Sequence, residues 1–245
     1  MSDESTIAQR VTRVKARIAE AAARAGREPR EITLLGASKV QSAASVALAL
    51  AAGLEVLGEN YVQEAAEKQP ALADLLATTS PDAAPPRWHM IGALQRNKAK
   101  LAVDMFDVIQ TVDRESLARE INKRAGNAGR TLDVFLQVNL SGESQKAGIE
   151  EEAVPALLEY CSTLEHVAVV GLMTIPAPVD DPNDNRPVFA RLRGLAEELR
   201  GMPGGERLTG LSMGMSRDFE IAIEEGATVV RVGSELFGPR PVRVD

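Results

Sequence analysis

The chain has 245 residues, of which 44% are hydrophobic and 3% aromatic, with a formal net charge of −7. That length admits two small domains or one α/β barrel, and the core it can bury is built from Ala, Val, Leu and Ile. The charge excludes general affinity for nucleic acid or anionic membrane; no apolar run spans a bilayer, the acidic start has no signal-peptide pattern, and the single cysteine, Cys161, permits no internal disulfide or thiolate metal cluster, so a soluble cytoplasmic protein is expected.

Ile7, Val11, Val14, Ile18, Ala21 and Ala25 recur at helical spacing and predict an amphipathic first helix ending near Gly26. Strand-like runs follow at 32–38, 56–60, 88–92, 106–111, 134–140, 167–174, 208–213 and 228–233. Helical patterns lie between them at 43–52, 61–76, 94–103, 114–128, 150–164, 187–200 and 216–225. Such alternation implies parallel strands with right-handed crossovers. The whole chain, 1–245, therefore reads as one (β/α)8 TIM-barrel domain, with 1–27 as an extra N-terminal helix packed on the barrel. An open doubly wound sheet competes, but the first strand lacks the Gly-x-Gly-x-x-Gly turn of a dinucleotide site. The proline-rich segment 77–87 falls at the bottom as a connector. Segment 176–187 follows the sixth strand at the top, either as a mobile rim or as a solvated loop.

Lys39 directly follows the first apolar strand, where a lysine is either an ordinary solvated charge or an amine presented from a rigid base. The other strand ends carry polar residues and glycines that would converge with it on one mouth: Glu59 and Asn60, Gln137 to Asn139, Gly171 to Thr174, Ser212 to Ser216, and Arg231 to Ser234. The loops after strands seven and eight are the usual phosphate location in this architecture. Ser212-Met-Gly-Met-Ser supplies hydroxyls and unencumbered amides, while Arg231, Gly233 and Ser234 supply a fixed charge and further amides. The alternative is tight turns required by packing, with Arg231 paired to a structural carboxylate. A phosphate cradle facing a strand-end lysine fits one ligand carrying both an aldehyde and a phosphate, as pyridoxal 5′-phosphate (PLP) does. Asn60 is the better candidate than Glu59 to orient the lysine or bond a ring hydroxyl. His89 reads as a packed, hydrogen-bonded residue, His166 as surface, Cys161 as a buried structural thiol, and Lys98 and Lys146 as solvated top-face charges.

Six strings make a resemblance specific: Gly36-Ala-Ser-Lys39, Gly58-Glu-Asn-Tyr-Val-Gln-Glu64, Trp88 through Lys98, Gly171-Leu-Met-Thr-Ile-Pro176, Leu211-Ser-Met-Gly-Met-Ser-Arg-Asp-Phe-Glu220 and Arg231 through Gly238. In order, and across nearly the whole chain, they resemble the pyridoxal phosphate homeostasis proteins, the YggS/PROSC family. The resemblance implies a barrel like the N-terminal domain of alanine racemase, with PLP held as a Schiff base on Lys39. By position it implies further cofactor contacts from Asn60, Ser212, Met213, Arg231, Gly233 and Ser234, and a role in buffering or delivering PLP. Met90, where members often have Phe, and Gly36-Ala37, where others have Ala-Val, depart from the pattern at the level of packing.

The runner-up is a low-activity PLP-dependent amino-acid racemase. Alanine racemase-like enzymes add a second domain with an acid/base tyrosine, and no such domain is expected after the eighth strand here; Tyr61 and Tyr160 are the only tyrosines. A Schiff-base aldolase acting on a phosphosugar is a third reading, disfavoured by the lysine's place on the first strand. The expectation is thus a PLP carrier without catalytic residues or metal. It would act as a monomer, with PLP-dependent apoenzymes as recipients. Whether Arg231 meets the phosphate or the pyridine nitrogen is left open by the residues alone.

Overall fold

Runs apolar on both faces need cover on both sides, and they find it in a closed parallel barrel wrapped by helices. The computed structural model describes residues 6–141 and 147–238. In chain order the strands are β1 (Thr33–Ala37), β2 (Val56–Glu59), β3 (Arg87–Met90), β4 (Val108–Val112), β5 (Leu132–Asn139), β6 (Ile149–Glu150), β7 (Val167–Met173), β8 (Gly210–Met215) and β9 (Val229–Val232). The helices are α1 (Ile7–Arg24), α2 (Ala43–Ala51), α3 (Val62–Thr79), α4 (Ala99–Met105), α5 (Glu115–Asn127), α6 (Val154–Ser162), α7 (Arg186–Leu199), α8 (Phe219–Glu224) and α9 (Ser234–Phe237).

The sheet runs β4-β3-β2-β1-β9-β8-β7-β5, and pairing of β4 with β5 closes it. Every pairing is parallel. These eight strands are the eight expected runs, and the architecture is a TIM barrel. β6 lies outside the barrel and was not anticipated. Ile149 and Glu150 carry no strand pattern and pair only with Val138 and Asn139 at the end of β5. The helix expected from 216 begins at Phe219 instead, because the Asp218 carboxylate accepts from Met215 N at 2.7 Å and holds 215–218 as a turn.

Alternation along each strand divides the core in two. Leu35, Val56, Ile91, Val108, Phe135, Met173 and Val229 fill the barrel interior. Their neighbours, among them Leu34, Leu57, Ile109, Leu136 and Val230, face the helices. Phe135 is the large interior plug, and glycines make room for it. A Cβ at Gly171 or Gly210 would stand 2.5 or 2.7 Å from its ring.

α1 starts with a capping box between Thr6 and Gln9 and buries Val11, Val14, Ile18, Ala21 and Ala22. It packs on α8, α9 and α2. Arg17 fixes that docking: it bonds both oxygens of Glu220 at 3.0 and 2.8 Å, pairs with Glu235, and lies 4.6 Å over the Phe219 ring. The expected rim at 176–187 is tethered rather than loose. Asn185, 5% exposed, donates to Asp218 at 2.8 Å, and Arg217 donates to Asp180 O at 3.0 Å. Among the described residues no helix is long and apolar enough to cross a membrane.

Candidate functional site

The C-terminal strand ends gather the polar residues that the sequence singles out. Lys39 is half-buried in a turn just after β1, and Asn60 is half-buried just after β2. β9 is the hydrogen-bonded neighbour of β1, with Val232 opposite Gly36. Gly233 therefore follows beside Ala37: a Cβ on it would lie 3.3 Å from Ala37 O. The Gly233 amide donates to Ser216 Oγ at 3.4 Å, and the Ser234 hydroxyl to the same oxygen at 3.4 Å. These are long for hydrogen bonds, whose N–H···O mode is about 2.9–3.0 Å, so three donors stand together only loosely satisfied. Met213 differs from the other candidates. Its side chain is fully buried in the outer core against the helices, so only its main chain can serve the mouth.

Deeper in the mouth, a directed chain of hydrogen bonds crosses the barrel. Arg231, 4% exposed, donates through Nη2 to Thr174 O at 2.8 Å and through Nη1 to Ser212 Oγ at 2.6 Å. Ser212 Oγ donates to Gln110 Oε1 at 2.6 Å, leaving the Gln110 amide to face His89 Nδ1 at 2.8 Å. Because an amide N–H can only donate, His89 Nδ1 must accept, and the imidazole carries its proton on Nε2. Burial pushes the Arg231 guanidinium down to about 10, with Asp218 opposing, so it remains a cation at neutral pH. Among the described residues no carboxylate stands within ion-pair distance of it. The pairing with a structural carboxylate considered for Arg231 is thus replaced by a network of neutral acceptors.

His89 is packed and hydrogen-bonded as expected, with a pKa lowered by burial to about 3. Its unfolded value is about 6.5, so between those values the unfolded chain takes up a proton that the folded chain refuses. Stability falls as pH drops below about 6.5, approaching 1.4 kcal/mol per pH unit, and this loss ends near the folded value. We expect urea-unfolding free energies of His89→Gln to decline less between pH 7 and 5.5 than those of the parent. Equal slopes would show that His89 is not the group responsible.

Gln110 was not singled out, since it carries no motif and a glutamine inside the apolar run Val108–Val112 was the available signal; Thr174 stood among the strand-end polar residues but was given no contact of its own. Lys68 and Glu64 were also missed as chemistry, although their spacing of four marks a helical ion pair. Lys98 is half-exposed on the top face, and Lys146 lies outside the described residues. Cys161 is buried, and burial pushes its thiol up to about 12, so it is inert.

The family model "Alanine racemase, N-terminal domain" matches residues 10–241. A curated relative from Aquifex aeolicus, named pyridoxal phosphate homeostasis protein, is 45% identical over 95% of this chain and 97% of its own length. The solved structure of PipY from Synechococcus elongatus, with PLP bound, superimposes with a TM-score of 0.82 at 38% identity, covering 95% of this chain and all of that one. An alanine racemase from Clostridium difficile shares the fold at a TM-score of 0.64 and 15% identity, and the match covers 53% of that protein.

Proposed function

Since the chain belongs to the family of pyridoxal phosphate homeostasis proteins, built on the alanine racemase N-terminal-domain fold, we propose that it binds PLP as a Schiff base on Lys39 and buffers or delivers it. The observation that carries this reading is the adjacency of the loosely satisfied donors Ser216, Gly233 and Ser234 to the strand that leads into Lys39.

The donor set fits the group. A phosphate dianion needs several convergent N–H and O–H donors, and these three residues provide them where glycine lets the backbone approach closely. Arg231 and Ser212 lie deeper along their strands than Gly233 and Ser216 and would meet the ring end, with Asn60 on the opposite side of β1; Met213 would contribute main chain only. When bound, the cofactor supplies an aldehyde that can condense with an amine. Lys39 provides that amine from a turn, and the Arg231 cation disfavours a second positive charge beside it. Enzymes that use the ring as an electron sink place a carboxylate there instead, which supports holding over turnover. On this reading the protein is a cytoplasmic monomer made of one PLP-binding domain, with PLP-dependent apoenzymes as recipients and no catalytic residue of its own. The weak-racemase alternative rests on fold likeness alone.

We expect purified protein loaded with PLP and desalted to retain visible absorbance, and borohydride to bleach that band while fixing the cofactor on the Lys39 peptide as a secondary amine. Lys39→Ala should lack that adduct, and alanine racemisation should not exceed background. A colourless parent protein would sink the cofactor assignment; turnover abolished by Lys39→Ala would establish the racemase.

A further inference from the structure

Behind the Lys39 turn lies a buried cluster that the cofactor chemistry does not use. Ser38 O accepts from Gln41 N at 3.0 Å, so Lys39 and Val40 are the central residues of a tight turn. Val40 adopts φ +58°, the only non-glycine residue with positive φ among those described. A β-branched side chain disfavours that left-handed conformation, which persists only where surroundings over-determine it. The surroundings are Lys68, Glu59 and Glu64.

Lys68 is 7% exposed, and its ammonium donates to Ser38 O at 2.5 Å, Glu59 Oε1 at 2.6 Å and Glu64 Oε1 at 2.9 Å. Ser38 Oγ donates to the same Glu59 oxygen at 2.7 Å, and Val40 N donates to Glu64 Oε1. The two residues flanking Lys39 are therefore both gripped by one Lys68–Glu59–Glu64 cluster, supplied by the end of β2 and by α3. A surface ion pair would not need burial of this kind. Two charged groups taken out of water, Lys68 and Glu59, with Glu64 half-buried beside them, are costly next to a strained turn, and they are tolerated where they hold a functional geometry.

We propose that Lys68, Glu59 and Glu64 are positioning residues that clamp the strained Ser38–Gln41 turn and so set the reach and presentation of the Lys39 amine. This deepens the PLP reading and rests on it for its ligand, while the geometry concerns the ligand-free chain. Loss of the Glu64 anchor frees Val40 N and lets the turn relax toward negative φ, carrying Lys39 with it. Glycine at 40 takes the left-handed conformation without strain, so Val40→Gly should make the clamp dispensable.

The test is a double-mutant cycle of Glu64→Ala, Val40→Gly and the pair. Two readouts are taken: the PLP dissociation rate, and the rate at which an amine-acylating reagent labels Lys39 in ligand-free protein, normalised to exposed Lys100 by peptide mass spectrometry. Glu64→Ala should speed PLP loss about tenfold, equivalent to about 1.4 kcal/mol, and change the Lys39 labelling rate. The pair should restore both to within about threefold of the parent, and Val40→Gly alone should change neither by more than that. A merely structural role predicts lowered melting temperature without rescue by glycine. Unchanged labelling in Glu64→Ala, or a defect that glycine fails to repair, overturns the proposal. If no variant, parent included, binds PLP while the labelling cycle behaves as described, the cofactor reading has failed and the clamp stands.

Discussion

Arg231→Met is expected to weaken PLP binding about a hundredfold while changing the unfolding free energy of the ligand-free protein by no more than about 1 kcal/mol. The two effects separate because the guanidinium is buried without a carboxylate partner. Desolvation depresses its pKa to about 10, which records a standing penalty for holding the charge there. Methionine relieves that penalty but leaves Thr174 O and Ser212 Oγ without their donors, a loss of about 1–3 kcal/mol for a buried polar group. For the fold these terms oppose one another. For PLP they do not, because a buried donor aimed at the proposed ring end is gone. Since the proposed phosphate donors lie beyond Arg231 at Gly233 and Ser234, competition by inorganic phosphate should change much less than PLP affinity. Equal losses for both ligands would place Arg231 on the phosphate rather than the ring. A melting temperature lowered by many degrees with intact PLP affinity would show Arg231 to be a structural residue only.

Gly92→Ala should destabilise the fold by about 3 kcal/mol and weaken PLP binding as well. A Cβ at Gly92 would stand 2.2 Å from Asn60 O, 2.7 Å from its Cα and 2.8 Å from its carbonyl carbon. These are backbone atoms, so no rotamer change relieves the clash. Gly92 cannot easily retreat, since Thr111 Oγ1 donates to its carbonyl at 2.8 Å. The segment after β2 must move, and Asn60 moves with it. Gly201→Ala is the matched control, because nothing lies within 4 Å of its added Cβ. Urea unfolding and PLP titration of both variants decide the matter. A Gly92→Ala protein as stable as the control would mean the two strand ends are not packed backbone to backbone.

Much of the architecture is legible in residue order. Each barrel strand is an apolar run bounded by turn residues, and each long helix carries its own apolar stripe, so eight repeats leave closure as the economical solution. Boundaries slip where tertiary bonds override periodicity. Asp218 holds a turn that delays α8, and β5 recruits Ile149 and Glu150 into pairing. Lys39, Asn60, Ser212, Arg231, Gly233 and Ser234 were visible because each is a polar or glycine residue closing an apolar strand. Met213 shared their motif, yet its place on the alternating strand turns its side chain to the helices.

The sequence by itself determined the alternating fold, the family and the lysine at the first strand end, because these depend on local pattern and on strings read in order. Only the tertiary structure decided what surrounds that lysine. The Arg231–Ser212–Gln110–His89 chain joins residues up to 142 positions apart (231 − 89), and the Lys68 cluster reaches from α3 to the turn after β1. Partners of that kind are set by barrel closure and strand neighbourhood, and a side chain's hydrogen bonds depend on who stands opposite, which no local periodicity records.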